Sequence, residues 1–140
     1  MPGLGALPAR FRRPRLLIIG CGDVGQRVVK QLPLRDGQPV WAVTALTSSQ
    51  HRVADLRHMG VRPIYGDLDS SESVRRLSGV ATHVLHLVPP ATTQTIDKRT
   101  RDLLRSLRQR GEIRQLVYGS TTGVYGDCDG QWVSEIRPVN

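Results

Sequence analysis

Apolar residues along this chain come in short solid runs separated by helical stripes. Leu16-Leu17-Ile18-Ile19 is continuous, the mark of a strand covered on both faces. Glycines follow at once. Then Val24, Val28, Val29 and Leu32 recur at helical spacing until Pro33 stops the helix. The alternation continues. Residues 40–46 predict a second strand, and residues 52–58 a short helix stopped by Met59-Gly60. Residues 61–65 predict a third, weaker strand, whose Pro63 suits a strand start or an edge. Ser70, Ser71 and Glu72 open a helix that runs to Leu77. Residues 82–88 predict a fourth strand, closed by Pro89-Pro90. Residues 97–110 predict a longer helix with Leu103, Leu104 and Leu107 on one side, and residues 115–118 a fifth strand.

Strands that alternate with helices imply an α/β fold, a parallel sheet with helices on both faces. The expected strand order is 3-2-1-4-5, a doubly wound Rossmann-type sheet that stops after its fifth strand. Residues 1–14 are rich in Gly, Pro and Arg and have no periodicity. They predict a disordered basic arm ahead of one domain over residues 15–140. Beyond Tyr118 the chain turns polar and turn-rich, with Gly123, Gly126, Asp127, Asp129 and Gly130.

Composition narrows the class. The chain has 140 residues, 39% of them hydrophobic, which is enough for one core and too little for two. No apolar run approaches the roughly 18 residues of a membrane span. No apolar run of signal-peptide type stands before the early arginines, so a cytoplasmic protein is expected. Cys21 and Cys128 make neither a disulfide framework nor a zinc site. The Asp127-Cys128-Asp129 loop lacks a spaced set of carboxylates and a closing glutamate, so it reads as a turn and no metal is expected.

The net charge of +8 invites a nucleic-acid reading, but its distribution weakens it. Only Lys30 and Lys98 are lysines. Arg10, Arg12, Arg13 and Arg15 supply half of the excess from residues 10–15. Arg99, Arg101, Arg105, Arg108 and Arg110 lie along one predicted helix, mixed with Asp97 and Asp102. They read as a solvated or interface face, and no nucleic-acid motif accompanies them.

Gly20-Cys21-Gly22-Asp23-Val24-Gly25 is G-x-G-x-x-G between a buried strand and an amphipathic helix. Gly20 permits the tight turn. Gly22 removes a side chain where a pyrophosphate must approach, and Gly25 lets the helix pack close to the strand. The helix start at Asp23 and Val24 offers free N–H groups to phosphates. A dinucleotide cofactor is expected. A ribose-binding acid should stand at the end of the second strand, but residues 44–52 contain no Asp or Glu. They offer Ser48, Ser49 and Arg52, which suit a 2′-phosphate. NADP is therefore favoured over NAD.

Three further segments occur in order. Tyr65-Gly66-Asp67-Leu68-Asp69 follows the third strand, and His86-Leu87-Val88-Pro89-Pro90 closes the fourth. Tyr118-Gly119-Ser120-Thr121-Thr122-Gly123-Val124-Tyr125-Gly126-Asp127 follows the fifth. With the glycine loop, these resemble the NAD(P)-dependent epimerase/dehydratase family, the extended or atypical short-chain dehydrogenase/reductases. The resemblance covers residues 15–138. It implies that Asp67 bonds the adenine amino group with Leu68 beside the ring, and that Leu87 and Val88 line the cofactor ribose. It makes Thr121 the hydroxyl that polarises the substrate. Val88-Pro89-Pro90 departs from the small residues usual there. The implied substrate is a small hydroxyl or carbonyl compound such as a nucleotide sugar, and a homodimer would form through residues 97–110.

That family's chemistry also needs a Tyr-x-x-x-Lys pair, in which the Lys charge lowers the pKa of the Tyr acid–base. Gln26 stands four before Lys30 and Gln94 four before Lys98, so no such pair occurs. Only 19 residues follow Thr121. The expectation is the cofactor-binding part of a longer enzyme, inactive on its own and with apolar surface exposed beside its last strand. The alternative is a non-catalytic NAD(P)-binding, redox-sensing regulator.

Overall fold

The computed structural model describes residues 13–90, 97–111, 113–120 and 122–139. The basic arm therefore lies outside the described residues, except for Arg13 and Pro14. The chain order is β1 (Arg15–Ile19), α1 (Asp23–Gln31), β2 (Leu34–Arg35), β3 (Gln38–Pro39), β4 (Ala42–Thr47) and α2 (Arg52–His58). Then come β5 (Arg62–Tyr65), α3 (Ser71–Arg75), β6 (His83–His86), α4 (Lys98–Leu107) and β7 (Gln115–Tyr118), followed by a 3₁₀ turn (Thr122–Tyr125).

β1 explains why the chain folds around it. Its side chains alternate across the sheet, and both faces are apolar. Leu16 and Ile18 join Ala45, Leu56 and Val61 in a core that Val29 of α1 also packs against. Leu17 and Ile19 join Leu46, Val74, Val84, Leu103 and Leu107 in the core beneath α3 and α4. Leu17, Ile18 and Ile19 are fully buried. The sheet runs β5-β4-β1-β6-β7. All four pairings are parallel. This is the expected 3-2-1-4-5 order of a Rossmann-like sheet.

Several boundaries differ from the sequence expectation. Residues 34–39, expected as a connection, form a hairpin, with Leu34 opposite Pro39 and Arg35 opposite Gln38. Asp36 (φ 51°) and Gly37 (φ 73°) make its two-residue turn. Positive φ at both central positions is what an Asp-Gly hairpin turn requires. Val40 N–H closes the base of the hairpin on Pro33 O at 3.2 Å, so the next strand starts at Ala42 instead of residue 40.

The fourth strand is shorter than residues 82–88. Thr82 and Leu87 N–H still bond Arg15 O and Ile19 O, and then Pro89 and Pro90 have no N–H to continue the ladder. Asp97 is the cap of α4 instead of its first residue, accepting from Thr100 N–H at 3.1 Å. Ser70 likewise caps α3, accepting from Ser73 N–H at 3.3 Å.

β7 is an edge strand. Val117 is 50% exposed and Tyr118 is exposed as well, the uncovered apolar surface expected beside the last strand. Among the described residues no helix is long and apolar enough to cross a membrane.

Candidate functional site

The carboxyl ends of β1, β4, β5 and β6 open onto one cleft of about 410 Å³. A crevice at the strand carboxyl ends, where the chain order reverses about β1, is where open α/β sheets bind ligands. The loop after β1 forms its floor. Gly20 has φ +83°, and a Cβ there would stand 2.7 Å from Val88 Cγ2. Gly22 N–H turns back to Gly20 O at 2.8 Å. Above Gly22 there is room, since a Cβ would meet nothing nearer than Arg52 Nη1 at 3.9 Å. Gly25 is buried under α1, where a Cβ would lie 3.2 Å from Cys21 Sγ and 3.3 Å from Ile18 Cγ2. The three glycines thus make the turn, the open floor and the close helix–strand contact.

α1 starts with no side-chain cap. The N–H groups of its first turn, at Asp23 and Val24, have no helical partner and are open to an anion. Their side chains do not line the cleft. Asp23 instead pairs with Arg27 at 2.9 Å on the exposed face of α1, and Val24 is exposed. Cys21 is buried, and burial pushes its thiol pKa up against the opposing pull of the Arg52 charge. It remains a thiol, packed beneath the loop, with no base beside it among the described residues.

Three walls rise from the other strands. At the end of β4, Thr47 Oγ1 accepts from Ser49 N–H at 3.2 Å, and Ser48, Ser49 and Arg52 line the cleft. Arg52 is half-buried, and its Nη1 reaches Cys21 O at 3.4 Å, so it lies across the glycine loop. At the end of β5, Asp67 is exposed and Leu68 buried, and both line the cleft. Asp67 Oδ1 accepts from Asp69 N–H at 2.9 Å. At the end of β6, Leu87 and Val88 form the last wall with Pro89.

The structure therefore gathers Gly20, Gly22, Ser48, Ser49, Arg52, Asp67, Leu68, Leu87 and Val88 around one space. Thr121 lies outside the described residues. The lining holds two cations, Arg52 and Arg99, against one acid, Asp67. An open glycine floor, free helix N–H groups and a cationic excess fit a phosphate-bearing dinucleotide.

A family profile described as NAD(P)H-binding matches residues 20–139. The chain belongs to this NAD(P)H-binding family. Solved structures agree on the fold. A short-chain dehydrogenase/reductase superfamily protein from Agrobacterium tumefaciens, with bound NAD, superposes with a TM-score of 0.64 at 22% identity. That match covers 90% of this chain and 39% of the other. Triphenylmethane reductase from Citrobacter sp., complexed with NADP(H), gives a TM-score of 0.59 at 20% identity, over 74% of this chain and 36% of its own. The TrkA-N domain of the Escherichia coli inner membrane protein YbaL gives a TM-score of 0.51 at 19% identity. There the match spans 78% of this chain and 90% of the domain. No curated protein sequence matches significantly. The chain spans well under half the length of the two enzymes it resembles.

Two features of this NAD(P)H-binding domain carried no sequence signal. Arg99 comes from α4 and reads by spacing as one more exposed helix arginine. His86 reads as an ordinary strand residue between Leu85 and Leu87. It is 1% exposed, and its Nε2 lies 3.1 Å from Thr100 Oγ1. Thr100 Oγ1 donates to Asp97 Oδ2, which Tyr118 Oη also reaches at 3.4 Å. The Thr100 hydroxyl spends its single proton on Asp97, so Nε2 must carry the hydrogen of a neutral His86.

His86 Nδ1 is buried with no partner among the described residues. Burial pushes the His86 pKa down, more than the Asp97 charge raises it. Burial also works against the Asp97 carboxylate, but hydrogen bonds from the Thr100 hydroxyl and N–H, the charge His86 takes on in acid, and a hydrogen bond from the Tyr118 hydroxyl hold its pKa below the usual value. The cluster ties the start of α4 to the ends of β6 and β7.

Proposed function

We propose that this chain is the cofactor-binding part of an NADP(H)-dependent oxidoreductase, related to the epimerase/dehydratase and reductase branches of the short-chain dehydrogenases. One observation carries the choice of NADP(H): Arg52 lies over the glycine loop at the end of β4, where no acid stands to bind a ribose 2′-hydroxyl. Ser48 and Ser49 add donors at the same place. When bound, the nicotinamide supplies hydride chemistry. The residues of this chain hold the phosphates, read the adenosine end and place the cofactor at the strand ends.

The 140 residues contain no Tyr-x-x-x-Lys pair, the acid–base partner that the resemblance implies. This favours a division of labour in which the chain binds and other residues complete the reaction. A second reading, a non-catalytic regulator that senses the NADPH pool, draws on the same absence. Titration of the protein with NADPH and NADH tests the first reading, with tighter binding of NADPH expected. Equal or reversed preference would overturn the NADP(H) reading, and no binding of either would overturn both readings. A carbonyl compound reduced by the 140-residue chain with NADPH would overturn the division of labour.

A further inference from the structure

Arg99 lines the cleft from α4, and its guanidinium is already engaged there. Its Nε donates to Asp69 Oδ1 at 2.7 Å and its Nη2 to Asp69 Oδ2, a two-pronged pair across thirty residues of chain. Asp69 in turn donates its N–H to Asp67 Oδ1 at 2.9 Å. The same loop is fixed elsewhere by Gly66 N–H on Thr47 O at 3.0 Å and Ser70 N–H on Asp67 O at 3.2 Å. Asp67 thus has one oxygen held inside the loop. Its Oδ2 has no partner among the described residues and is available to a ligand.

We propose that Arg99 is a positioning residue for the adenine end of the cleft, acting through Asp69 to hold the Asp67 carboxylate ready for the exocyclic amine of the base. This rests on the dinucleotide reading above and on the resemblance, which assigns the adenine amine to Asp67; the new element is Arg99. The physical case is one of geometry. A forked arginine–carboxylate pair fixes the plane of the carboxylate, which a lysine cannot do. The Asp69 side chain is 58% exposed, and exposed pairs contribute little to stability. What the pair supplies is the placement of the loop that carries Asp67. The lowered Asp69 pKa, which comes first from its hydrogen bond to Arg99, agrees with a pair that persists at neutral pH.

The test compares NADPH with its hypoxanthine analogue, which has a keto oxygen in place of the exocyclic amine. The unaltered protein is expected to bind NADPH about tenfold more tightly than the analogue, the worth of one charged hydrogen bond. Arg99→Ala should shrink the ratio of the two affinities toward one, over and above any loss both ligands share from the removal of a cleft cation, with the melting temperature unchanged. Arg99→Lys should behave the same way, and Arg99→Ala with Asp67→Asn should be no worse than either alone. An Arg99→Ala protein that keeps the preference, or weakens both ligands equally, would overturn the proposal. So would equal affinity of the unaltered protein for both ligands. Failure of the unaltered protein to bind either ligand would instead overturn the dinucleotide reading.

Discussion

Val88 Cγ2 stands 2.7 Å from the point a Cβ on Gly20 would occupy, and Val88 N is only 3.2 Å from it. The first glycine of the loop is therefore fixed twice, by its φ of +83° and by the wall that closes the fourth crossover. Val88 belongs to the Val88-Pro89-Pro90 segment, where the resemblance implied small residues, so that difference is built into the turn itself. Gly20→Ala should lower stability by about 1–3 kcal/mol through backbone strain and overpacking. It should also weaken NADPH binding. Adding Val88→Ala should recover only the packing share, because Val88 N and the positive φ remain. Thermal melts of the single and double variants check this, and full recovery in the double would show that φ carries no cost.

Arg52 separates the two dinucleotides. A charged hydrogen bond to a phosphate contributes about 1.5–3 kcal/mol, roughly ten- to a hundredfold in affinity. Arg52→Ala should weaken NADPH by that factor and leave NADH nearly unchanged. The NADPH affinity of the unaltered protein should also fall more steeply with salt than that of the variant. Isothermal titration at two ionic strengths measures both effects. Equal losses for NADPH and NADH would place Arg52 on a part common to both cofactors.

The parts of this site that could be read from sequence are those written locally. The glycine loop is six consecutive residues between a solid apolar run and a helical stripe. Ser48, Ser49, Asp67, Leu87 and Val88 stand within two residues of a strand end and Arg52 opens the helix after β4, so the parallel sheet and its first turns bring them together. What escaped depends on contacts between crossovers. Arg99 reaches Asp69 only once α4 has docked, and no spacing in the chain encodes a pair thirty residues apart. His86 and Thr100 meet for the same reason. The hairpin at residues 34–39 was missed differently. It has an Asp-Gly turn, but every residue in it is exposed, so no alternation marks its strands.

Ser106 ties the two helices on one side of the sheet. It is 4% exposed, and its Oγ donates to Val74 O at 2.7 Å. Ser106→Ala removes this bond between the helices, while Val74 O keeps the Leu77 N–H at 3.1 Å. A loss of about 0.5–1.5 kcal/mol, the net contribution of one hydrogen bond, is expected in chemical denaturation. Since α4 carries Arg99, NADPH binding should weaken modestly as well. No change in denaturation midpoint would show that water replaces the hydroxyl at no cost.

His86 should be the first group to weaken the fold as pH falls. Burial depresses its pKa below the ordinary 6.5, so between the folded and unfolded values the unfolded chain binds more protons. The stability held by the neutral imidazole is complete above about pH 6.5 and declines as pH falls toward the folded pKa. Asp97 acts lower down. Its folded pKa lies below the ordinary 3.8, so its contribution is present above that value and is lost in stronger acid. The melting temperature should therefore fall in two stages, first below pH 6.5 and again below pH 4. His86→Gln keeps a side-chain donor near Thr100 but cannot titrate. It should remove the first stage, at some cost in packing, and leave the second. If the variant keeps the slope between pH 6.5 and 5, another group sets it and the neutral state of His86 is not what holds α4 to the sheet.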